Sequence, residues 1–113
     1  MAITNASNAE AVREQLRTGG TVLVDYGASW CPPCRTLLPI LEEIDAEYGE
    51  HVNMIKVDCD ELPELASEAG VMSMPTVIIY SGGQPVEKLV GLRPKSVYQG
   101  VLDKVAGEVR RAR

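Results

Sequence analysis

Apolar residues along this chain fall into two rhythms, short β-branched runs and longer stretches at helical spacing, and their alternation predicts an α/β fold. Ser7-Asn8-Ala9-Glu10 has capping-box spacing, and Val12 and Leu16 follow on one face until Gly19-Gly20, so a first helix is expected there behind a short strand. Thr21 to Tyr26 (TVLVDY) is a nearly continuous apolar run, as in a strand covered on both faces, with Asp25 its one misfit. Leu37, Leu38, Leu41, Ile44 and Tyr48 then recur at helical spacing up to Gly49, with Glu42, Glu43 and Glu47 on the other side. Pro39 lies inside this helix and removes the hydrogen bond to the Arg35 carbonyl, so a kink is expected. Val52 to Asp58 predicts a second buried strand, interrupted by Lys56, and Pro63 to Ala69 a short helix ended by Gly70. These βα alternations imply parallel strands joined by a right-handed crossover.

Thr76 to Tyr80 and Val86 to Val90 flank Ser81-Gly82-Gly83-Gln84, a hairpin signal that makes the sheet antiparallel at its end. From about Pro94, Val97, Val101, Leu102, Val105 and Val109 mark a closing helix, and Arg110, Arg111 and Arg113 form a basic tail that complements its C-terminal dipole. No repeat or linker interrupts the pattern, so one domain over residues 1–113 is expected. With 45% apolar residues in 113, the chain can build a single core without disulfide staples. Its 16 acidic against 11 basic side chains give a net charge of −5, which argues against nucleic acid or an anionic membrane as partner. No segment approaches membrane-spanning length, and the N-terminal residues lack the cationic start and apolar run of a secretory signal. Three cysteines cannot all pair within one chain, which suits a reducing compartment and points to the cytoplasm.

Trp30-Cys31-Pro32-Pro33-Cys34 carries the candidate chemistry, because thiols at this spacing either close a small disulfide ring or hold a metal. With Cys31 at the strand-to-helix junction and Cys34 one turn inside, the sulfurs approach bonding distance and the positive helix end favours a thiolate at Cys31. Cys31 is therefore the expected exposed nucleophile, and the less exposed Cys34 the resolving thiol. A structural zinc site needs four ligands, and only Cys59 and His51 remain besides this pair, so no metal is expected. Cys59 reads as a small buried hydrophobe and His51 as a solvated turn residue. Strand alternation can point Asp25 beneath the cysteines, where burial would raise its pKa and fit it to accept a proton from Cys34. A buried ion pair, or a carboxylate held by backbone at a strand end, is the alternative. Lys56 is the matching oddity on the next strand. Trp30, the single tryptophan, lies in a predicted loop and suits an exposed contact role. Pro75 is either a strand-start proline or a cis proline.

The ordered set of strand TVLVDY, WCPPC, proline-containing helix, Met74-Pro75-Thr76, glycine hairpin and Gly91 resembles the thioredoxin family over roughly residues 20 to 107. The resemblance implies the thioredoxin fold, a central mixed β-sheet flanked by helices on both faces. It further implies protein-disulfide reduction through a Cys31 mixed disulfide resolved by Cys34, with Lys56 keeping Asp25 ionisable in a coupled proton relay. A cis Pro75 would turn the Met74 backbone toward the thiols to pair with an extended substrate, within an apolar rim of Trp30, Pro33, Met74 and Gly91. The expected redox group is the Cys31-Cys34 disulfide itself, with no bound cofactor. Expected partners are protein disulfides and a thioredoxin reductase, and a monomer is expected. Two other readings keep the fold: a disulfide-donating oxidase or isomerase, and a binding or metal-holding module without turnover.

Two positions depart from the family pattern. Pro32 replaces the usual glycine, removing an amide donor near Cys31 while stiffening the reduced dithiol; with the rigid Pro32-Pro33 pair, stiffness is expected to dominate and make the Cys31-Cys34 dithiol more reducing. Gly27 replaces a usual aromatic, so the active-site loop is expected to be looser or filled by Leu37, Leu38 or Tyr26.

Overall fold

The computed structural model describes residues 3–111, and side chains over residues 3–105. Five strands and four helices follow the order β1 (Thr4–Asn5), α1 (Ala9–Thr18), β2 (Thr21–Gly27), α2 (Pro32–Tyr48), β3 (Asn53–Asp58), α3 (Pro63–Ala69), β4 (Thr76–Ser81), β5 (Gln84–Val90) and α4 (Lys95–Arg111). The strands form one mixed sheet ordered β1-β3-β2-β4-β5, with β3 parallel to both β1 and β2, and β4 antiparallel to β2 and β5.

Strand alternation splits the core into two layers. Leu23, Met54, Val77, Ile79 and Leu89 pack on one face against Leu37, Leu41, Ile44 and Tyr48 of α2 and Tyr98 and Leu102 of α4. Val22, Val24, Tyr26, Ile55, Val57, Ile78 and Tyr80 pack on the other against Val12 of α1 and Leu65 of α3. The hairpin turn takes positive φ at Gly82 (59°) and Gly83 (84°), which only glycine adopts at little cost. It lies beside the start of β2, where Thr21 pairs with Ser81.

Two details differ from the sequence reading, the cap of α1 and the buried face of α4. The cap of α1 is Asn8 rather than Ser7: the Asn8 Oδ1 accepts from the Ala11 amide at 2.7 Å, three residues ahead. Pro39 lies within the single continuous helix α2, as the spacing predicts. Among the described side chains of α4 the deepest are Tyr98 and Leu102, with Val97 and Val101 only half-buried. Tyr98 escaped the apolar pattern because its ring is core while its hydroxyl accepts from the Arg93 amide at 3.3 Å. The side chains of Arg110, Arg111 and Arg113 lie outside the described residues.

Beneath α1 and α3, the hydroxyls of Tyr26 and Tyr80 are hydrogen-bonded at 2.7 Å in a buried pair. Burial of this pair pushes the Tyr26 phenol far above its ordinary value. Each ring fills core while its hydroxyl satisfies the other. Tyr26→Phe is therefore expected to cost about 1–2 kcal/mol by orphaning the Tyr80 hydroxyl, and adding Tyr80→Phe to recover most of it. Urea unfolding of the wild type, both single variants and the double variant reads this coupling; strictly additive costs would rule it out.

Candidate active site

The disulfide lies at the edge of the sheet where the parallel strands β2 and β3 end. β2 closes at Gly27, the chain turns through Ala28 to Trp30, and Cys31 caps α2. Pro32 and Pro33 take the first helical positions, where a missing N–H breaks no helix bond. Cys31 and Cys34 are disulfide-bonded with their Cα atoms 5.3 Å apart. The first amide that α2 can offer an incoming charge is consequently that of Cys34, since neither proline has one. That amide donates to the Cys31 Sγ at 3.4 Å.

The expected contrast in exposure between the cysteines is absent. Cys31 is 4% and Cys34 5% exposed, because the Met74 segment folds over the ring and puts its carbonyl oxygen 3.8 Å from the Cys31 Sγ. What differs is the company each sulfur keeps. Cys31 faces Met74 and the helix end; Cys34 faces the sheet.

Asp25 follows Leu23 by two residues on β2, so it faces α2 rather than α1 and α3. It is 1% exposed, and its Oδ1 has no hydrogen-bond partner. Burial pushes its carboxyl up to about 6, while the charge of Lys56 pulls the other way with smaller effect. Lys56 is the register partner of Asp25 on β3, and parallel neighbours in register present their side chains on one face. It is half-buried and borders an open groove with Leu38, Glu42 and Asp45.

Gly27 brings the Cys34 sulfur and the Asp25 carboxylate near one point. A Cβ on Gly27 would stand 3.1 Å from the Cys34 Sγ and 3.7 Å from the Asp25 Oδ1, so thiol and carboxylate flank the point that the missing side chain leaves open. The expected filling by Tyr26, Leu37 or Leu38 does not occur. Tyr26 faces the opposite layer, Leu37 packs in the α2 and α4 core, and Leu38 borders the Lys56 groove. Cys34 itself takes up the space.

The Met74-Pro75 bond is cis. Gly91 follows β5 with φ of +85°, and its amide donates to the Pro75 carbonyl at 2.8 Å, tying the end of β5 to the proline segment. Trp30 is 60% exposed. Its Nε1 donates to the Asp60 Oδ2 at 2.6 Å, a partner that sequence reasoning missed. Asp60 is positioned by a turn in which the Asp58 Oδ1 accepts from the Asp60 amide at 2.8 Å and the Glu61 amide at 3.3 Å. The Cys59 amide donates to the Gly27 carbonyl at 2.8 Å, which lashes this turn to the active-site loop. Arg35 was also missed: its Nη1 donates to the Ser29 carbonyl at 3.0 Å and braces the loop from the helix side. The only advance signal for the first was Asp58, an aspartate at the end of a strand with turn chemistry; nothing pointed to the second.

Cys59 is half-buried against the α1 and α3 core, and burial together with Asp58, Asp25 and Asp60 pushes its thiol up to about 11. His51 is half-buried in the turn after α2, where its amide donates to the Tyr48 carbonyl. Among the described residues no cluster of three or more His, Cys, Asp or Glu side chains could hold a metal ion, and no helix is long and apolar enough to cross a membrane.

The sequence profile of the family described as Thioredoxin matches residues 2–104. A thioredoxin of Listeria monocytogenes is 45% identical over 95 residues, covering 84% of this chain and 92% of that protein. One from Staphylococcus aureus is 47% identical over 85 residues, or 75% of this chain and 82% of its own length. Among solved structures, Malassezia sympodialis thioredoxin superposes with a TM-score of 0.86 at 30% identity, covering 93% of this chain and 91% of that one. The oxidised mitochondrial thioredoxin 3 of Saccharomyces cerevisiae does so with a TM-score of 0.81 at 32% identity, covering 89% and 94%. Relatives of this kind are protein-disulfide reductases, and the closed Cys31-Cys34 pair is the matching redox group. The profile, the identities and the shared mixed sheet with its CXXC disulfide establish that this chain belongs to the thioredoxin family.

Proposed function

We propose that this chain reduces disulfides in other proteins through a cycle in which Cys31 attacks and Cys34 resolves. The Cys31 thiolate displaces one sulfur of the substrate disulfide, forming an intermolecular bond while the substrate's other sulfur leaves as a thiolate. Asp25 accepts the Cys34 proton, and the resulting thiolate attacks the Cys31 Sγ. The second substrate sulfur is expelled as a thiolate, which takes back the proton held by Asp25 or one from water, and the protein is left with the Cys31-Cys34 disulfide. The observation that carries this reading is the buried Asp25 carboxylate on the sheet face near Cys34, its Oδ1 without a hydrogen-bond partner and its pKa raised to about 6, so that it can take a proton near neutrality.

In this cycle Lys56 tunes Asp25 by charge, and Pro32 and Pro33 set the stiffness and amide supply of the ring. Trp30, Met74, Pro75 and Gly91 form the surface that receives the substrate. The Met74 backbone beside the Cys31 Sγ suits an extended peptide that adds to it as a strand would. The electron carrier is the dithiol itself, so no bound cofactor is required. A thioredoxin reductase regenerates the dithiol, and the protein works as a single monomeric domain in the cytoplasm, where a reducing poise keeps it charged.

Catalysed reduction of insulin by dithiothreitol tests the cycle, followed by equilibration of the dithiol with glutathione. Rapid insulin reduction with a potential near that of a reducing thioredoxin, about −270 mV, is expected. A potential close to −120 mV would instead assign the chain to disulfide donation, and no acceleration would leave it a binding module.

A further inference from the structure

Three segments meet around the disulfide: the loop ending at Trp30, the stretch 71–75, and the end of β5 at Gly91. The contact of Cys31 with the Met74 carbonyl and the bond from the Gly91 amide to the Pro75 carbonyl hold them together. Thr76 steadies the middle segment, its Oγ1 donating to the Ser73 carbonyl at 2.7 Å. Met72 stands on this segment, two residues before the carbonyl that faces Cys31, so its Cα lies within about 7 Å of the Met74 Cα. It is 95% exposed, far more than Met74, which packs on the cysteines, or Met54, which is core. A large apolar side chain left almost wholly in water has no role in holding the fold.

We propose that Met72 is a substrate-contacting rim residue whose thioether is a site of oxidative modification, so that peroxide lowers the affinity of this protein for its disulfide substrates. The proposal rests on the reductase reading above. As a thioether, Met72 offers a long, unbranched and polarisable side chain that moulds to different apolar neighbours of a substrate disulfide. Its sulfur attacks one oxygen of hydrogen peroxide. An S–O bond forms, the O–O bond breaks, the sulfur is oxidised by two electrons, and the peroxide is reduced to water. The sulfoxide is polar and must be dehydrated when a substrate covers it, so capture weakens while the Cys31-Cys34 chemistry is untouched. Selectivity follows from exposure: Met54 is buried, Met74 is half-buried against the disulfide, and the Cys59 thiol is both half-covered and held at about 11.

The test starts from the disulfide form, in which Cys31 and Cys34 cannot react with peroxide. After graded hydrogen peroxide treatment, peptide mapping is expected to find one added oxygen on Met72 before Met54 or Met74. That protein should reduce insulin with KM raised about tenfold, kcat little changed and an unaltered glutathione redox equilibrium. Met72→Leu should keep its KM through the same treatment, and Met72→Gln should show the raised KM without peroxide. Unchanged KM in a fully oxidised Met72 protein, or prior oxidation of Met74, overturns the proposal while leaving the reductase reading intact. Failure of the untreated protein to turn over insulin overturns both.

Discussion

The Cys34→Ser protein is expected to accumulate in covalent complex with a disulfide substrate and to lose turnover by at least about a thousandfold. Cys31 keeps everything it needs to attack: its cap position, the Cys34 backbone amide at 3.4 Å, and the Met74 carbonyl that would register an incoming peptide. What disappears is the one sulfur close enough to displace the substrate, since a serine hydroxyl cannot take its place in thiol exchange. Cys59 is no substitute, with its thiol pushed up to about 11 and hence almost fully protonated near neutrality. Nonreducing electrophoresis with mass spectrometry should find the link at Cys31, and Cys31→Ser should form no complex. Near-normal turnover in Cys34→Ser would reject the two-thiol cycle.

Asp25→Asn is expected to slow resolution and stabilise the fold at the same time, and pH separates the two effects. Below the ordinary carboxylate value of 3.8 Asp25 is protonated in both folded and unfolded chains, so it costs the fold nothing. Between 3.8 and about 6 the unfolded chain ionises first, and stability falls as pH rises; above about 6 the whole cost is in force. At about 1.4 kcal/mol for each pH unit between those values, ionised Asp25 costs about 3 kcal/mol. Asparagine cannot ionise, so the variant should exceed wild type by about 2–3 kcal/mol at pH 8, with the gap closing toward pH 4. Urea unfolding of the disulfide form across that range measures it, and a gap independent of pH would refute the assignment. Resolution of the mixed disulfide should slow by about a hundredfold near neutrality, the lower end of what a positioned base contributes. Its inflection near pH 6 should vanish. A wild-type rate and profile would reject the relay.

Much of the frame was readable because hydrophobic burial writes itself into spacing. The run from Thr21 to Tyr26, the helical recurrence after Cys34 and the glycine hairpin each have one favourable packing solution, and each element forms where its pattern falls. The face of Asp25 was readable too, since alternation along β2 fixes it from Leu23. Less legible was whatever depends on two distant segments meeting. Trp30 and Asp60 are 30 residues apart, Arg35 reaches backward to a carbonyl, and Tyr26 finds Tyr80 only after β2 and β4 have paired. Side-chain hydrogen bonds of this kind follow from tertiary placement and leave no local period. Gly27 shows the same limit in reverse. Its missing bulk was evident, but not that Cys34 would close the gap, because that depends on how deeply the first turn of α2 sits on the sheet.

The sheet gives this molecule a working end and an idle one. The chemistry gathers where β2 and β3 finish, whereas Gly82 and Gly83 turn beside the start of β2, seven residues upstream of the redox loop. At about 3.3 Å per residue that is roughly 20 Å of rigid, buried strand. The hairpin tip is thus a natural attachment point for a surface tether, a fluorophore or a fused domain. Cargo carried there would leave the approach to Cys31 open while the electron traffic continues at the other end.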